Sequence, residues 1–177
     1  MSVEKTTAFV VSVDPGITGA IAVVRGSEFI TSYEMPIQKK SSGRNEVDEI
    51  GLVNVSHEIR TMLEGIEPSP DIVVAIEQVS SGGPGHAGRR QGVASMFSMG
   101  DSFGCVRMFA AMLGSRLERV SPVSWKRGLG MNGKPKDFSI TRARMLYPRA
   151  APQLARKKDH GLAEALLIAH FVITYRS

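Results

Sequence analysis

The chain has 177 residues, 42% hydrophobic and 22% charged, with 22 Lys and Arg against 17 Asp and Glu for a net charge of +5. That length suits one domain with a substantial core, read as residues 1–177, and leaves no room for two lobes of comparable size. A lone cysteine, Cys105, excludes an intrachain disulfide framework. No apolar run approaches membrane-spanning length, and the start MSVEKTTAF lacks the layout of a signal peptide, so a cytoplasmic protein with no membrane partner is expected.

In chain order, Ala8 to Val13 is an apolar, β-branched run, Pro15-Gly16 a tight turn, and Gly19 to Val24 a second apolar run. This is the pattern of a buried strand pair. Asp14 stands at the end of the first strand, where a charge is costly unless it is paired or binds a metal; an Asp that only caps the turn is the plainer alternative. Glu28 to Glu34 alternates apolar and polar as a third, edge strand, and three antiparallel strands joined by short turns follow. Pro36 to Asn45 reads as a polar loop and Glu46 to Gly65 as a helix.

Asp71 to Val79, DIVVAIEQV, reads as a central strand ending in Glu77. A helical crossover makes this strand parallel to the first, so Asp14 and Glu77 reach the same edge of the sheet, where open α/β sheets hold ligands. Ser80 to Gln91 is a loop carrying Arg89 and Arg90 beside that edge. Gly92 to Gly114 reads as a long helix whose Met- and Phe-rich stripe serves core or a dimer interface. Leu117 to Val120 is a short strand. Ser121-Pro122 starts a short helix with Trp125 as a core anchor.

From Arg119 to Lys158 the charge is lopsided. Lys126, Arg127, Lys134, Lys136, Lys157 and Lys158 are among eleven bases that face only Asp137. A solvated face explains most charge runs; one-sided excess also suits nucleic acid. Phe138 to Leu146 reads as a helix, and Asp159 to Tyr175 as the last, with Asp159 at its N-cap. Glu164 lies within it between Ala163 and Ala165, an odd place for an acid with nothing to bind.

Two strand-end carboxylates plus one or both of Asp159 and Glu164 make an all-oxygen cluster without clustered Cys or His. Hard oxygen ligands select Mg²⁺ or Mn²⁺. Two such ions in one site activate water and steady the leaving oxygen of a phosphoryl displacement. Beside a basic surface, the reading is a metal-dependent nuclease.

VDPGITGAIAVV, VVAIEQV and PVSWKRGLGMNGKPKD…SITRARMLYP…KKDHGLAEALLIAHF resemble the RuvC-type Holliday junction resolvases, in particular their phage and plant-organelle branch. The likeness runs from about Phe9 to Phe171 with the motifs in family order. It implies an α/β, RNase H-like fold: a mixed five-stranded sheet, three antiparallel strands then parallel ones, flanked by helices. It also implies a homodimer that places paired, symmetric nicks across a four-way DNA junction. By position, Asp14 would bridge two Mg²⁺ ions, with Glu77 and Glu164 as further ligands. The bacterial pattern has another acid or His at the position of Gly161; Asp159 or His160 must then supply the fourth ligand, Asp159 being favoured. His160 orients water or a phosphate in the alternative, or merely starts the helix. Lys134 and Lys136 match the branch's Gly-Lys-x-Lys loop, placing one of them at the scissile phosphate or junction bases.

The competing readings are a flap- or branch-specific nuclease or RNA nuclease of the same fold, and an inactive junction-binding module. An actin-like sugar kinase shares the first hairpin but needs a second lobe.

Overall fold

The computed structural model describes residues 8–66, 71–78, 92–113, 116–135 and 137–176. Its strands are β1 (Phe9–Val13), β2 (Ala20–Arg25), β3 (Glu28–Glu34), β4 (Ile37–Lys39), β5 (Asn45–Val47), β6 (Ile72–Glu77) and β7 (Arg116–Val120). Its helices are α1 (Glu49–Leu63), α2 (Val93–Met112), α3 (Pro122–Gly128), α4 (Asp137–Leu146) and α5 (His160–Tyr175), with 3₁₀ turns over Pro148–Leu154 and Lys157–Asp159. Five strands form one sheet in the order β3-β2-β1-β6-β7. β1, β2 and β3 pair antiparallel, whereas β6 joins β1, and β7 joins β6, in parallel. The mixed sheet expected from the sequence is therefore present, with α1 and α2 as the crossovers that parallel pairing demands.

Alternation along β1 divides the core in two. Phe9, Val11 and Val13 pack with Ile21, Val23, Val74 and Ile76 beneath α1 and α2. Val10 packs with Ala22, Val24, Val73 and Ala75 beneath α3, α4 and α5. Ser12, on the second face, is fully buried and donates its hydroxyl to the Ala165 carbonyl at 2.6 Å, pinning α5 to β1. α5 is buried nearly all round, from Gly161 through Val172, which is what an apolar helix without a polar stripe must do.

Several boundaries differ from the sequence reading. The expected polar loop 36–45 contains β4, which pairs with β5 as a short antiparallel hairpin. Its strands are three residues long and mostly exposed, so they leave no apolar alternation to read. The helix expected from Glu46 starts at Glu49 because 45–47 belong to that hairpin. Asp159 occupies the N-cap position of α5 without a side-chain bond to the helix amides; its carboxylate turns back to the Arg156 amide and guanidinium. Arg89, Arg90 and Lys136 lie outside the described residues.

Candidate active site

Parity and register bring the first two acids together. Ser12 pairs with Ala75 and Val13 with Ile76. One residue further along each parallel strand stand Asp14 and Glu77, side by side on the face that α5 covers. The Gly16 amide donates to Asp14 Oδ1 at 3.5 Å, and the Gly19 amide closes the turn onto the Gly16 carbonyl at 2.8 Å.

One glycine closes the turn and another lets α5 approach it. A Cβ on Gly161 would stand 2.4 Å from the Thr18 carbonyl oxygen, and one on Gly19 only 2.0 Å from the Asp14 carbonyl oxygen. Gly161 is thus a point of backbone contact between α5 and the β1–β2 turn, which leaves no space there for a ligand side chain. Almost one turn further on, Glu164 comes within electrostatic reach of both Asp14 and Glu77. α3 closes the group. The Trp125 indole N–H donates to Glu77 Oε1 at 3.0 Å, and the Lys126 ammonium, over the Trp125 ring at 5.0 Å, acts on Asp14 and Glu77 alike.

The electrostatics follow from that crowding. Burial first, then the Glu77 and Glu164 charges, push the Asp14 carboxyl up to about 7, against the Gly16 amide and Lys126. Burial likewise holds Glu77 above its ordinary range, with the Trp125 bond and Lys126 opposing and Glu164 adding to the rise. Among the described residues no set of three or more Asp, Glu, His or Cys side chains is arranged to enclose a metal ion. The donors Asp14, Glu77 and Glu164 nevertheless fit a hard divalent cation in kind: all are carboxylate oxygens, and neighbouring negative charge destabilises their ionised forms.

Asp14 and Glu77 form part of the floor of a cleft of about 720 Å³ between the β4–β5 hairpin and the first turns of α2. The hairpin contributes Lys39, Lys40 and Arg44 to its wall, with Lys40 held by Glu46 at 2.8 Å. These bases were missed in the sequence, although QKKSSGR carries three of them within six residues. A second cavity of about 480 Å³ lies beyond the Gly16–Gly19 turn, lined by Thr18, Glu34, Arg156, Lys158 and Asp159.

Asp159 belongs to that second cavity. Arg156 Nη2 lies 2.9 Å from its Oδ1, and the Arg156 amide donates to its Oδ2 at 2.7 Å. Burial favours the neutral acid there, but the Arg156 hydrogen bonds and charge outweigh it, and the carboxyl lies below its ordinary value. Neither Asp159 nor His160 is among the groups that act on Asp14. His160 is half-buried at the start of α5. Arg127, Lys134, Lys157 and Lys158 are exposed; the Lys134 ammonium rests over Phe138 at 5.4 Å. Among the described residues no helix is long and apolar enough to cross a membrane.

No family model matches the chain. The chloroplastic Holliday junction resolvase MOC1 of Chlamydomonas reinhardtii is 41% identical over 81 residues, 45% of this chain and 9% of that protein. The match therefore spans less than a tenth of the relative's length. Among solved structures, Thermus thermophilus RuvC in complex with Holliday junction substrate is 18% identical, with a TM-score of 0.57 over 95% of this chain and 94% of that one. A further T. thermophilus RuvC structure is 19% identical, with a TM-score of 0.52 over 94% of each chain. The chain has the RNase H-like fold of RuvC, and its likeness to RuvC-type resolvases rests on both the motifs and these comparisons.

Proposed function

We propose that the chain is a structure-specific endodeoxyribonuclease that resolves four-way DNA junctions by paired, symmetric nicks. The observation that carries this reading is Asp14, at a sheet rim in the company of Glu77 and Glu164, on a chain whose net charge is +5. A fold that keeps buried carboxylates beside one another makes itself less stable, and a divalent cation relieves that cost.

Asp14, Glu77 and Glu164 hold Mg²⁺, for which Mn²⁺ substitutes; two ions per site would supply an activated water and stabilise the leaving oxygen. Lys126 balances the carboxylates on the protein side, and Trp125 fixes Glu77. Lys39, Lys40 and Arg44 on one wall and Lys126 and Arg127 on α3 offer phosphate contacts around the cleft, with Lys134, Lys157 and Lys158 extending the basic surface. Arg89, Arg90 and Lys136, outside the described residues, fall to the same role, with Lys134 or Lys136 at the scissile phosphate or the junction bases.

Paired nicks require two sites. The outer face of α2 suits a second copy: Val93, Phe97 and Met108 are 86, 71 and 64% exposed, and nothing approaches Gly100 or Gly104 between them. Their spacing places them along one helical stripe, and the glycines allow a partner backbone to come close.

The deciding experiment incubates the chain with labelled four-way, flap and duplex DNA and with RNA, with and without Mg²⁺. Symmetric, ligatable nicks in the four-way substrate alone, with Mg²⁺, are expected. Cutting of flaps or RNA instead, or tight junction binding with no cutting, supports the respective alternative. Junction affinity is expected to fall at least about tenfold between 50 and 200 mM salt as counterions compete.

A further inference from the structure

The sequence assigns Trp125 to the core, and the structure gives it a second task. Its side chain is fully buried, yet the indole N–H reaches Glu77 Oε1 at 3.0 Å. The path between the two is short and rigid. Val120, the last residue of β7, pairs in parallel register with Glu77, and the Gln78 amide donates to the Val120 carbonyl at 2.8 Å. Ser121 then caps α3, its hydroxyl oxygen accepting from the Ser124 amide at 3.2 Å, with Pro122 at the first helical turn. One turn later Trp125 faces the carboxylate that terminates the neighbouring strand.

From this geometry we infer that Trp125 is a positioning residue for a metal site: its indole N–H fixes one oxygen of Glu77 and leaves the other free to bind the divalent cation. The inference rests on the metal-dependent reading above. An indole suits the task for three reasons. It donates a single hydrogen bond, so it orients the carboxylate without blocking both oxygens. It carries no charge, so it does not compete with the cation as an Arg or Lys at this place would. It is anchored on every side by core residues, so the bond restrains a long Glu side chain that Asp14 and Glu164 otherwise repel. Partners of this kind behind a ligand typically change metal affinity by about 10–100-fold when removed.

The test measures Mn²⁺ affinity of the full chain by calorimetry without DNA, for the parent, Trp125→Phe, Glu77→Gln, and a chain with benzothienylalanine at 125. This last residue keeps the shape of tryptophan and replaces its N–H with sulfur. Trp125→Phe and the sulfur isostere are expected to weaken Mn²⁺ binding by about 10–100-fold, with junction affinity measured in Ca²⁺ changed less than about threefold. If Trp125→Phe fails to fold, the isostere decides. Undiminished Mn²⁺ affinity in the isostere, with Glu77→Gln weakened, overturns the positioning role and leaves the metal site intact. Undiminished affinity in Glu77→Gln overturns the metal reading itself.

Discussion

Asp14 and Asp159 flank one turn of the chain and have opposite surroundings. Asp14 looks into the cleft with two further carboxylates near it and lies far above the ordinary range of an acid, at about 7. Asp159 looks into the cavity on the other side, is gripped by Arg156 through guanidinium and amide, and lies below that range. Both were candidate ligands on sequence grounds. The difference is one of satisfaction: Asp159 has the partners a part-buried charge needs, whereas Asp14 has neighbours that disfavour its charge. An acid with such neighbours has the character of a cation ligand; a satisfied acid equally well serves the fold.

The sharpest way to break this contrast is substitution. Asp14→Asn is expected to abolish Mg²⁺-dependent nicking while junction binding stays within a few-fold of the parent. Asp159→Asn is expected to reduce nicking far less, because its carboxylate is already engaged by Arg156. Equal loss in both, measured on the same labelled junction, would erase the distinction between the two acids.

Stability against pH separates them by sign. The fold holds Asp14's proton more tightly than the unfolded chain does, so the associated stability is complete below 3.8 and is lost as pH rises through about 7. Asp159 runs the other way. Its paired carboxylate contributes above its ordinary value, and the contribution disappears as the solution is acidified through its lower folded-state value. Without metal, Tm is therefore expected to fall by several degrees between pH 5 and pH 8. Asp14→Asn should flatten that decline and Mg²⁺ should reverse it. Thermal melts with EDTA and with Mg²⁺ check this; Glu77, also held above its ordinary range, keeps a smaller share of the decline, and an undiminished decline in Asp14→Asn contradicts the assignment.

Smaller effects test the turn between the two acids. Gly161→Ala puts a methyl group 2.4 Å from the Thr18 carbonyl oxygen and is expected to cost about 1–3 kcal/mol in a denaturant titration. A neutral result would mean that α5 does not need this close approach. Arg156→Ala is expected to lower Tm by a few degrees at most, since its guanidinium is largely exposed. Its main signature is loss of the acid-side dependence supplied by Asp159.

What the sequence disclosed and what it concealed follow the same division between local and distant partners. Asp14 and Glu77 were legible because β-branched runs define strands, and strand parity fixes which face an end residue takes. Glu164 stood out as an acid between alanines in an apolar helix, and the fold brings it within electrostatic reach of Asp14 and Glu77. The β4–β5 hairpin was hidden, as its short polar strands carry no alternation. Gly161 looked like a lost ligand in the sequence and is a contact between two backbones in the structure. Trp125 reads as core by composition, and its bond to Glu77 links residues 48 positions apart. The pairing of Arg156 with Asp159, three positions apart, was within local reach; the expectation of a helix cap obscured it.

The most direct test of the shared site is the anomalous scattering of crystals soaked in Mn²⁺. The account predicts density in contact with Asp14, Glu77 and Glu164 on the cleft side of the turn. Density beside Asp159 and Arg156, or none in contact with Asp14, would contradict it.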